Sequence, residues 1–523
     1  MSNSNISLQA CDPALNATVS ASAGSGKTWL LITRIVRLLI AGAEPGNIIA
    51  LTFTRKAAGE MQLRLNERLF AMATATDAEL EQQLDMIGCD MQQQTKSIAA
   101  GLYEKLMHSL YPVRIQTFHS FCQDILSRFP LEAEIPPGFD LIEDSSLLER
   151  QALQMLFDEA RKDPAQQHYN QRLNGELDTI MQFCNGPDNT TTSLHSFLSH
   201  RSDWWAFTAG KKDPVAFACD QLAHALQLED HAAEDSRALI GQFLDDSNRQ
   251  ELMVFANLLR EIGNKSGLKQ ADSIDQALKT EDGKQCLSLL NSAFLTKDGK
   301  PLVQGRKHSA AMEKKLGSEH TDRFLDLHLA MSAKLQNLNE QIKRLQTLTI
   351  NKAWYYSGHR YLEIFQQLKT EIRQLDFTDL EWKCYQLLQH SDNAHWVQYK
   401  IDQRIDHILI DEFQDTNPTQ WQLLSPILEE IAANPEQRPR SVFLVGDEKQ
   451  SIYSFRRANP ALQAQASQWL AERLNAKATP LDSSRRSSQA IIHGVNHIFE
   501  QQDIQKLMPG FIQHSTYLDT LPG

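Results

Sequence analysis

The stretch Ala21-Ser22-Ala23-Gly24-Ser25-Gly26-Lys27-Thr28 decides the fold of this chain. It follows the short apolar run Ala17–Ser20 and opens a helical pattern, so a buried strand is expected to turn directly into a helix. Glycines in such a turn let backbone N–H groups converge, and a helix N-terminus favours a bound anion. The stretch predicts a phosphate-binding loop, although Ala21 stands where such loops usually begin with glycine. An ordinary glycine-rich turn is the alternative.

Three further apolar runs are typical of buried strands that end in polar turns, and they lie at Asn47–Phe53, Ile405–Ile410 and Ser441–Val445. Strand, turn and helix repeated in this way predict a parallel sheet. Ligands of such sheets bind at the carboxyl ends of the strands. The predicted fold class is therefore α/β.

Composition limits the class of protein. The chain has 523 residues and a formal net charge of −13, and its glycine and proline contents exclude collagen-like and low-complexity chains. This length predicts about three domains. The seven cysteines include no Cys-x-x-Cys pair, which is typical of reduced thiols. No signal peptide or membrane span is evident, so we expect a cytoplasmic protein.

The segment from about Leu131 to Thr370 is polar, rich in Gln, Leu and Ala, and helical in pattern. Leucine and isoleucine recur three and four residues apart along one face, at Leu335, Leu338, Ile342 and Leu345. We interpret the segment as a helical bundle rather than a coiled coil, because the run is short. The sequence thus predicts an α/β core interrupted by a helical insertion.

A carboxylate pair, Asp411-Glu412, follows the apolar strand residues Ile408-Leu409-Ile410. Alone, such a pair is as often the start of a helix. Together with the phosphate loop it predicts a nucleotide site, in which Lys27 neutralises the β- and γ-phosphates and Thr28 offers a hydroxyl to Mg²⁺. Asp411 would hold Mg²⁺ through water, and Glu412 would polarise the attacking water.

The segment Asp411–Thr416 resembles motif II of UvrD/Rep-like superfamily 1 DNA helicases. Other stretches resemble further motifs of that family, in the family's order: Leu51–Met61 (Ia), Ile115–Cys122 (Ic), Val445–Arg456 (III) and Leu481–Ser487 (IV). The resemblance implies a P-loop NTPase (RecA-like) parallel sheet with a large inserted all-helical domain. It also implies that ATP hydrolysis drives 3′-to-5′ translocation on single-stranded DNA and duplex unwinding. A kinase is disfavoured, because motifs Ia, Ic and III have no role there.

The resemblance also assigns residues to ATP. Gln9 would read adenine, with a solvated glutamine as the alternative, and Gln450 would sense the γ-phosphate. Arg486 occupies the arginine-finger position, and Arg485 stands where relatives usually carry an aromatic residue that stacks on the base. The loop residues at the phosphates would be Ala23, Gly24, Ser25, Gly26, Lys27 and Thr28.

A second group of residues would contact DNA, and it comprises Phe53, Thr54, Thr117, His119, Tyr453, Phe455 and Arg456. Aromatic rings would stack on bases, which suits a motor that is indifferent to sequence. Thr117 and His119 would contact the DNA backbone. For Phe53 and Phe455 the alternative is core packing, and for His119 it is a structural histidine.

The long insertion is similar to that of AddA/RecB-type helicase–nucleases in double-strand-break repair, which implies single-stranded DNA, duplex DNA and a partner subunit. The expected ranges are 1–130 with 371–475 for ATP-binding domain 1A, 131–370 for helical domain 1B, and 476–523 for the beginning of a truncated domain 2A. Motifs V and VI and a nuclease domain are not found in the sequence. We therefore expect part of a longer protein that binds nucleotide and single strands but hydrolyses little ATP alone. The alternatives are a free-standing UvrD-like repair helicase and a non-motor ATP-dependent DNA-binding protein.

Two weaker patterns stay open. Basic residues cluster between Lys297 and Lys315, where they would bind duplex phosphates or form a solvated helix face. Cys184, His195 and His200 have neither the spacing nor the fourth ligand of a zinc site, so zinc is not expected.

Overall fold

The computed structural model describes residues 3–22, 24–161, 168–228, 236–303, 310–433, 438–454, 457–481, 483–507, 511 and 513–518. The chain divides into two compact units, residues 1–144 with 370–523, and residues 145–369. Strands occur in the first unit, and the described residues of the second are mainly helical. The strands are, in chain order, β1 (Ala17–Ala21), β2 (Ile48–Thr52), β3 (Arg114–Thr117), β4 (Asp140–Leu141), β5 (Gln374–Leu375), β6 (His407–Ile410), β7 (Ser441–Gly446), β8 (Lys477–Leu481), β9 (Ser483–Ser484) and β10 (Ser515–Thr516).

A six-stranded sheet with the order β3-β2-β6-β7-β1-β8 forms the centre of the first unit. Every neighbouring pair in it is parallel. Alternate residues face opposite sides, so that Ile408 and Ile410 pack in one apolar core and Leu409 in the other. Burial on both faces explains the unbroken apolar runs of the sequence. The prediction of an α/β fold with a parallel sheet is confirmed.

Helices cover both faces of this sheet. Those of the first unit are α1 (Asn3–Ala10), α2 (Lys27–Ile40), α3 (Arg55–Thr74), α4 (Asp77–Met86), α5 (Gln93–His108), α6 (Phe118–Arg128), α18 (Phe377–Gln389), α19 (Ala394–Asp402), α20 (Pro418–Ala433), α21 (Ala461–Leu474), α22 (Gln489–Phe499) and α23 (Gln502–Leu507). Single turns of 3₁₀ helix lie at Pro45–Asn47, Phe413–Asp415 and Glu448–Gln450. Helices α2, α6 and α20 each follow the carboxyl end of a strand and so begin at the same edge of the sheet.

The second unit contains α7 (Ser146–Arg161), α8 (His168–Cys184), α9 (Pro187–Ser199), α10 (Arg201–Thr208), α11 (Pro214–Ala225), α12 (Ser236–Phe243), α13 (Asp246–Ile262), α14 (Lys265–Lys279), α15 (Gly283–Phe294), α16 (Ala310–Leu316) and α17 (Ser318–Glu371), the last of which ends just beyond the unit's boundary. The 54 residues of α17 carry the apolar face that the sequence indicates. Leu335, Leu338, Ile342 and Leu345 are all buried in one core with α13, α14 and α15. This is packing within a helical assembly, as expected from the short run.

The compact units and the predicted domain ranges differ in two stretches. Residues 131–144 belong to the first unit, because Ala133, Ile135 and Phe139 pack in its core and β4 pairs with β5. Residues 476–523 also belong to it, and β8 pairs in parallel with β1. Within the described residues no helix is both long enough and apolar enough to traverse a bilayer.

Candidate functional site

Two glycines shape the turn between β1 and α2. Gly24 has φ +76° and Gly26 has φ +97°, in the region that L-residues with side chains rarely adopt. Gly26 is the N-cap of α2, and no side chain caps the backbone N–H groups of that helix end. The first turn of α2 therefore presents donors to an anion, as the sequence of the loop predicts.

Ser25 supplies a second feature of this turn. Its hydroxyl is buried and has no hydrogen-bond partner among the described residues. Leaving a buried polar group unpaired costs about 1–3 kcal/mol, so this hydroxyl fits a bound oxyanion as its missing acceptor. Ala23, also predicted at the phosphates, lies outside the described residues.

Lys27 and Glu412 meet although they are 385 residues apart. The Lys27 Nζ atom lies 2.7 Å from Glu412 Oε2, at the carboxyl edge of the sheet, where β1 leads to Lys27 and β6 to Glu412. Gln414 Nε2 donates to the same carboxylate oxygen over 2.7 Å. The backbone of Glu412 is left-handed, with φ +49°, which is a strained conformation for this residue type. The predicted lysine and carboxylate thus share one site.

Asp411 is buried in the same turn. Burial and, secondarily, the neighbouring Glu412 carboxylate raise the pKa of Asp411 to about 7. A divalent cation would offset this repulsion, and oxygen ligands such as Asp411 and Thr28 suit Mg²⁺. No cluster of three or more His, Cys, Asp or Glu side chains that could hold a metal occurs among the described residues. Two protein oxygens completed by phosphates and water are the usual way in which Mg²⁺ is held, so these residues fit the ion.

A hydrogen-bond chain leads from Glu412 to the predicted Gln450. Gln414 Oε1 accepts from the backbone N–H of Asp447 over 2.9 Å. Asp447 Oδ2 accepts from Gln450 Nε2 over 2.6 Å. Sequence reasoning assigned no role to Gln414 or Asp447, although both lie inside the quoted motif II and motif III stretches. Their roles depend on contacts that no local pattern predicts.

Arg485 and Arg486 lie beside the phosphate loop. The backbone N–H of Arg485 donates to the carbonyl of Gly24 over 2.7 Å. The Arg485 guanidinium lies 5.3 Å from the ring centroid of Trp29 and 5.0 Å from that of Tyr517. A cation between two aromatic faces is favourable. Sequence reasoning missed Trp29 and Tyr517, and the only local signal was the position of Trp29 two residues after the loop lysine.

The segment that carries Gln9 is fixed to α2 by two arginines. Arg34 Nη2 donates to the carbonyl of Leu15 over 2.5 Å, and Arg37 Nη1 donates to the carbonyl of Leu8 over 2.7 Å. The Arg34 side chain is buried. Gln9 itself is exposed, which leaves its predicted role in adenine recognition untested.

Phe53 and Tyr453 form an aromatic pair near the same edge of the sheet. Their ring centroids lie 4.4 Å apart and their planes are tilted by 33°. Both residues are only partly buried, so neither is a core residue of the kind that the alternative interpretation requires. Phe455 and Arg456, predicted in the same group, lie outside the described residues.

The other residues predicted at DNA have structural contacts as well. Thr54 Oγ1 accepts from the N–H of Ala57 over 3.1 Å and caps α3. Thr117 Oγ1 accepts from the N–H of Ser120 over 3.2 Å and caps α6. His119, in the first turn of α6, has its Nε2 atom 3.0 Å from Glu381 Oε1 and remains partly exposed. Its ring lies near that of Phe377, at a centroid distance of 4.6 Å.

A parallel α/β sheet with a lysine and two carboxylates at its carboxyl edge is typical of nucleotide-binding motors. The sequence model of the UvrD/REP helicase N-terminal domain matches residues 3–470, and the chain belongs to this family. The resemblance that the motifs indicate is thereby confirmed.

Curated relatives narrow the comparison, and those named below are all AddA-type ATP-dependent helicase/nuclease subunits. The chain is 25% identical to the protein of Lactobacillus helveticus, over 92% of this chain and 38% of that protein. It is 26% identical to the protein of Listeria monocytogenes serotype 4a, over 93% of this chain and 38% of that one. For the Latilactobacillus sakei protein the identity is 27%, over 85% of this chain and 48% of the relative. The chain thus spans less than half the length of these relatives.

Proposed function

We propose that this chain is the ATP-binding motor of a superfamily 1 DNA helicase of the helicase–nuclease type, acting in double-strand-break repair. The observation that carries the proposal is the 2.7 Å contact between Lys27 Nζ and Glu412 Oε2 beside an uncapped helix N-terminus. A cation, free backbone donors and carboxylates at one edge are the groups that nucleotide hydrolysis requires.

In the proposed P-loop site the loop residues 23–28 hold the phosphates of ATP, and Lys27 turns from Glu412 towards them. Thr28 and Asp411 hold Mg²⁺, which would neutralise the phosphate charge when bound. Glu412, oriented by Gln414, accepts a hydrogen bond from the attacking water. Gln450 and Arg486 act at the γ-phosphate, and Gln9 reads the base.

The proposed DNA surface begins at the pair formed by Phe53 and Tyr453. Partly exposed rings can stack on bases of any sequence, which supports their assignment. Thr54, Thr117 and His119 contribute backbone contacts. Phe455 and Arg456 belong to this surface by resemblance alone. Translocation in the 3′-to-5′ direction and duplex unwinding complete the proposal.

The domain assignment is proposed in the same way: 1A for residues 1–130 with 371–475, 1B for residues 131–370, and 2A from residue 476. The relatives are named as helicase/nuclease subunits, which favours a protein that works with a partner over a free-standing UvrD-like helicase. The separated free cysteines support a cytoplasmic location.

The test is ATP hydrolysis with and without single-stranded DNA, by the wild type, Lys27→Ala and Lys105→Ala. Lys105 is an exposed lysine of the same unit, paired with Glu44 at 3.3 Å, and serves as the matched control. We expect DNA-stimulated turnover in the wild type and the control, and a loss of at least about 100-fold in Lys27→Ala, because one oriented charge contributes several kcal/mol at a developing phosphate charge. Nucleotide and DNA binding without turnover would instead indicate the non-motor DNA-binding protein.

A further inference from the structure

Glu381 is a buried carboxylate that the proposed reaction does not use. It lies in α18 and is 7% exposed. Three side chains donate to it: His119 Nε2 at 3.0 Å, Asn417 Nδ2 at 2.9 Å and Gln420 Nε2 at 2.6 Å. Burial raises the pKa of this carboxyl, but the donors outweigh burial and hold the pKa below its ordinary value of 4.5. Glu381 is therefore a charged, fully engaged hub.

The three donors come from two elements with different neighbours. His119 lies in the first turn of α6, directly after β3. Asn417 and Gln420 form the start of α20, which follows the Asp411–Thr416 turn. Asn417 Oδ1 accepts from the N–H of Gln420 over 2.8 Å, and Gln420 Oε1 accepts from the N–H of Asn417 over 3.2 Å. This reciprocal cap fixes both amide side chains where they donate to Glu381.

Such a network fixes the imidazole of His119. Removing one partner of a buried charge leaves the charge poorly compensated, so the members of the network hold one another in a single arrangement. With Nε2 engaged by Glu381, Nδ1 is the other polar atom of the ring, and the side chain remains partly exposed. A protonated imidazole in this position can donate from Nδ1 to a phosphate oxygen.

We propose that Glu381 is a positioning residue of the nucleic-acid surface, which holds His119 against the DNA backbone and ties it to the helix that starts beside the carboxylates of the nucleotide site. The inference rests on the proposed role of His119 in DNA binding. Glu381 contacts neither DNA nor nucleotide, and it acts through His119.

The test is the affinity for a single-stranded oligothymidine, measured by fluorescence anisotropy at several salt concentrations. Glu381→Gln keeps the size of the side chain and removes its charge. Glu429→Gln, an exposed glutamate of α20, is the matched control for the charge change. We expect Glu381→Gln to bind about 10-fold more weakly, since a charge-assisted hydrogen bond is lost. The slope of log affinity against log salt should fall by about 0.7, the value for one phosphate contact on a single strand.

Glu381→Asp guards against a folding defect. It keeps a buried carboxylate but withdraws it by one methylene, and DNA affinity should again fall while a fluorescent ATP analogue binds within about two-fold of the wild type, since no ATP residue is altered. DNA binding by both variants equal to the control would overturn the inference.

A double-mutant cycle with His119→Ala distinguishes positioning from general destabilisation. If Glu381 acts through His119, the double variant binds DNA no more weakly than His119→Ala alone. Additive losses would refute positioning while leaving the role of His119 intact. Unchanged binding by His119→Ala would overturn both the inference and the proposed contact.

Discussion

Gly24 is where the phosphate loop approaches the chain most closely. An added Cβ would lie 2.9 Å from Arg486 Cβ and 3.1 Å from Ser484 Oγ, and φ is +76°. A side chain here would therefore meet both backbone strain and a steric clash. Gly42, after α2, has φ +97° but nothing within 4 Å of the added Cβ. The two glycines separate strain from crowding.

Gly24→Ala should weaken nucleotide binding by at least about 10-fold, because the loop must shift to clear Arg486 and its N–H groups lose their convergence. Gly42→Ala should leave nucleotide affinity unchanged. Each variant should lose about 1 kcal/mol or more of unfolding free energy to backbone strain. Titration with a fluorescent ATP analogue and urea unfolding measure the two effects. Equal nucleotide affinity in the two variants would contradict this account of the loop.

At the scale of single residues, sequence predicted those whose chemistry is local to a motif. Lys27 and Glu412 were expected at one site and are found 2.7 Å apart. Glu381, Gln414 and Trp29 were not predicted, because a polar or aromatic residue in a helical pattern does not indicate which partner the fold brings to it. Their partners come from other elements, and one sequence carries no record of that pairing.

At the scale of elements, α17 buries an ionisable group. His328 lies within the apolar core of the second unit, with ring centroids 5.5 Å from Phe294 and 5.8 Å from Phe255. Its Nε2 atom has no hydrogen-bond partner among the described residues. Burial lowers the pKa of His328 to about 4. The native state therefore holds this side chain neutral.

The unfolded chain binds a proton at His328 near pH 6.5, whereas the native state does so only near pH 4. The stability contributed by the neutral imidazole is thus present above pH 6.5 and is lost as the pH falls towards 4. We expect His328→Leu to reduce the loss of stability between pH 7 and pH 5 by about 1–2 kcal/mol. Denaturant unfolding at both pH values measures this. His320→Leu, at an exposed position of the same helix, should retain the wild-type pH dependence, and the same dependence in both variants would refute the role of His328.

The elements that sequence predicted best are those with unbroken apolar runs. Four of the central strands, β1, β2, β6 and β7, were expected from such runs and lie in the middle of the sheet or next to it. The two edge strands were not predicted. β3 contains the polar residues Arg114 and Gln116, and β8 contains Pro480, which an edge strand tolerates. Edge positions demand less apolar character, so their sequences give a weaker signal.

At the scale of the whole molecule, the sequence indicated a helical segment inside an α/β core, but not where the compact units divide. Residues 131–144 are polar in pattern, yet Phe139 packs in the core of the first unit and β4 pairs with β5. A contact between strands that are more than two hundred residues apart, such as that between Leu141 and Leu375, is invisible to local periodicity. The boundary is set by these long-range contacts.

The central claim is that Lys27 and the Asp411–Glu412 turn form one nucleotide site, in which Glu412 holds the lysine until phosphate replaces it. The most direct test is calorimetric titration with a Mg²⁺-bound, non-hydrolysable ATP analogue. Lys27→Ala should bind at least about 10-fold more weakly, because a charge on the phosphates is lost. Glu412→Gln should bind as tightly as the wild type or more tightly, because Lys27 no longer has to leave a carboxylate 2.7 Å away. Unchanged binding by Lys27→Ala, or a loss in Glu412→Gln as large as in Lys27→Ala, would contradict the claim.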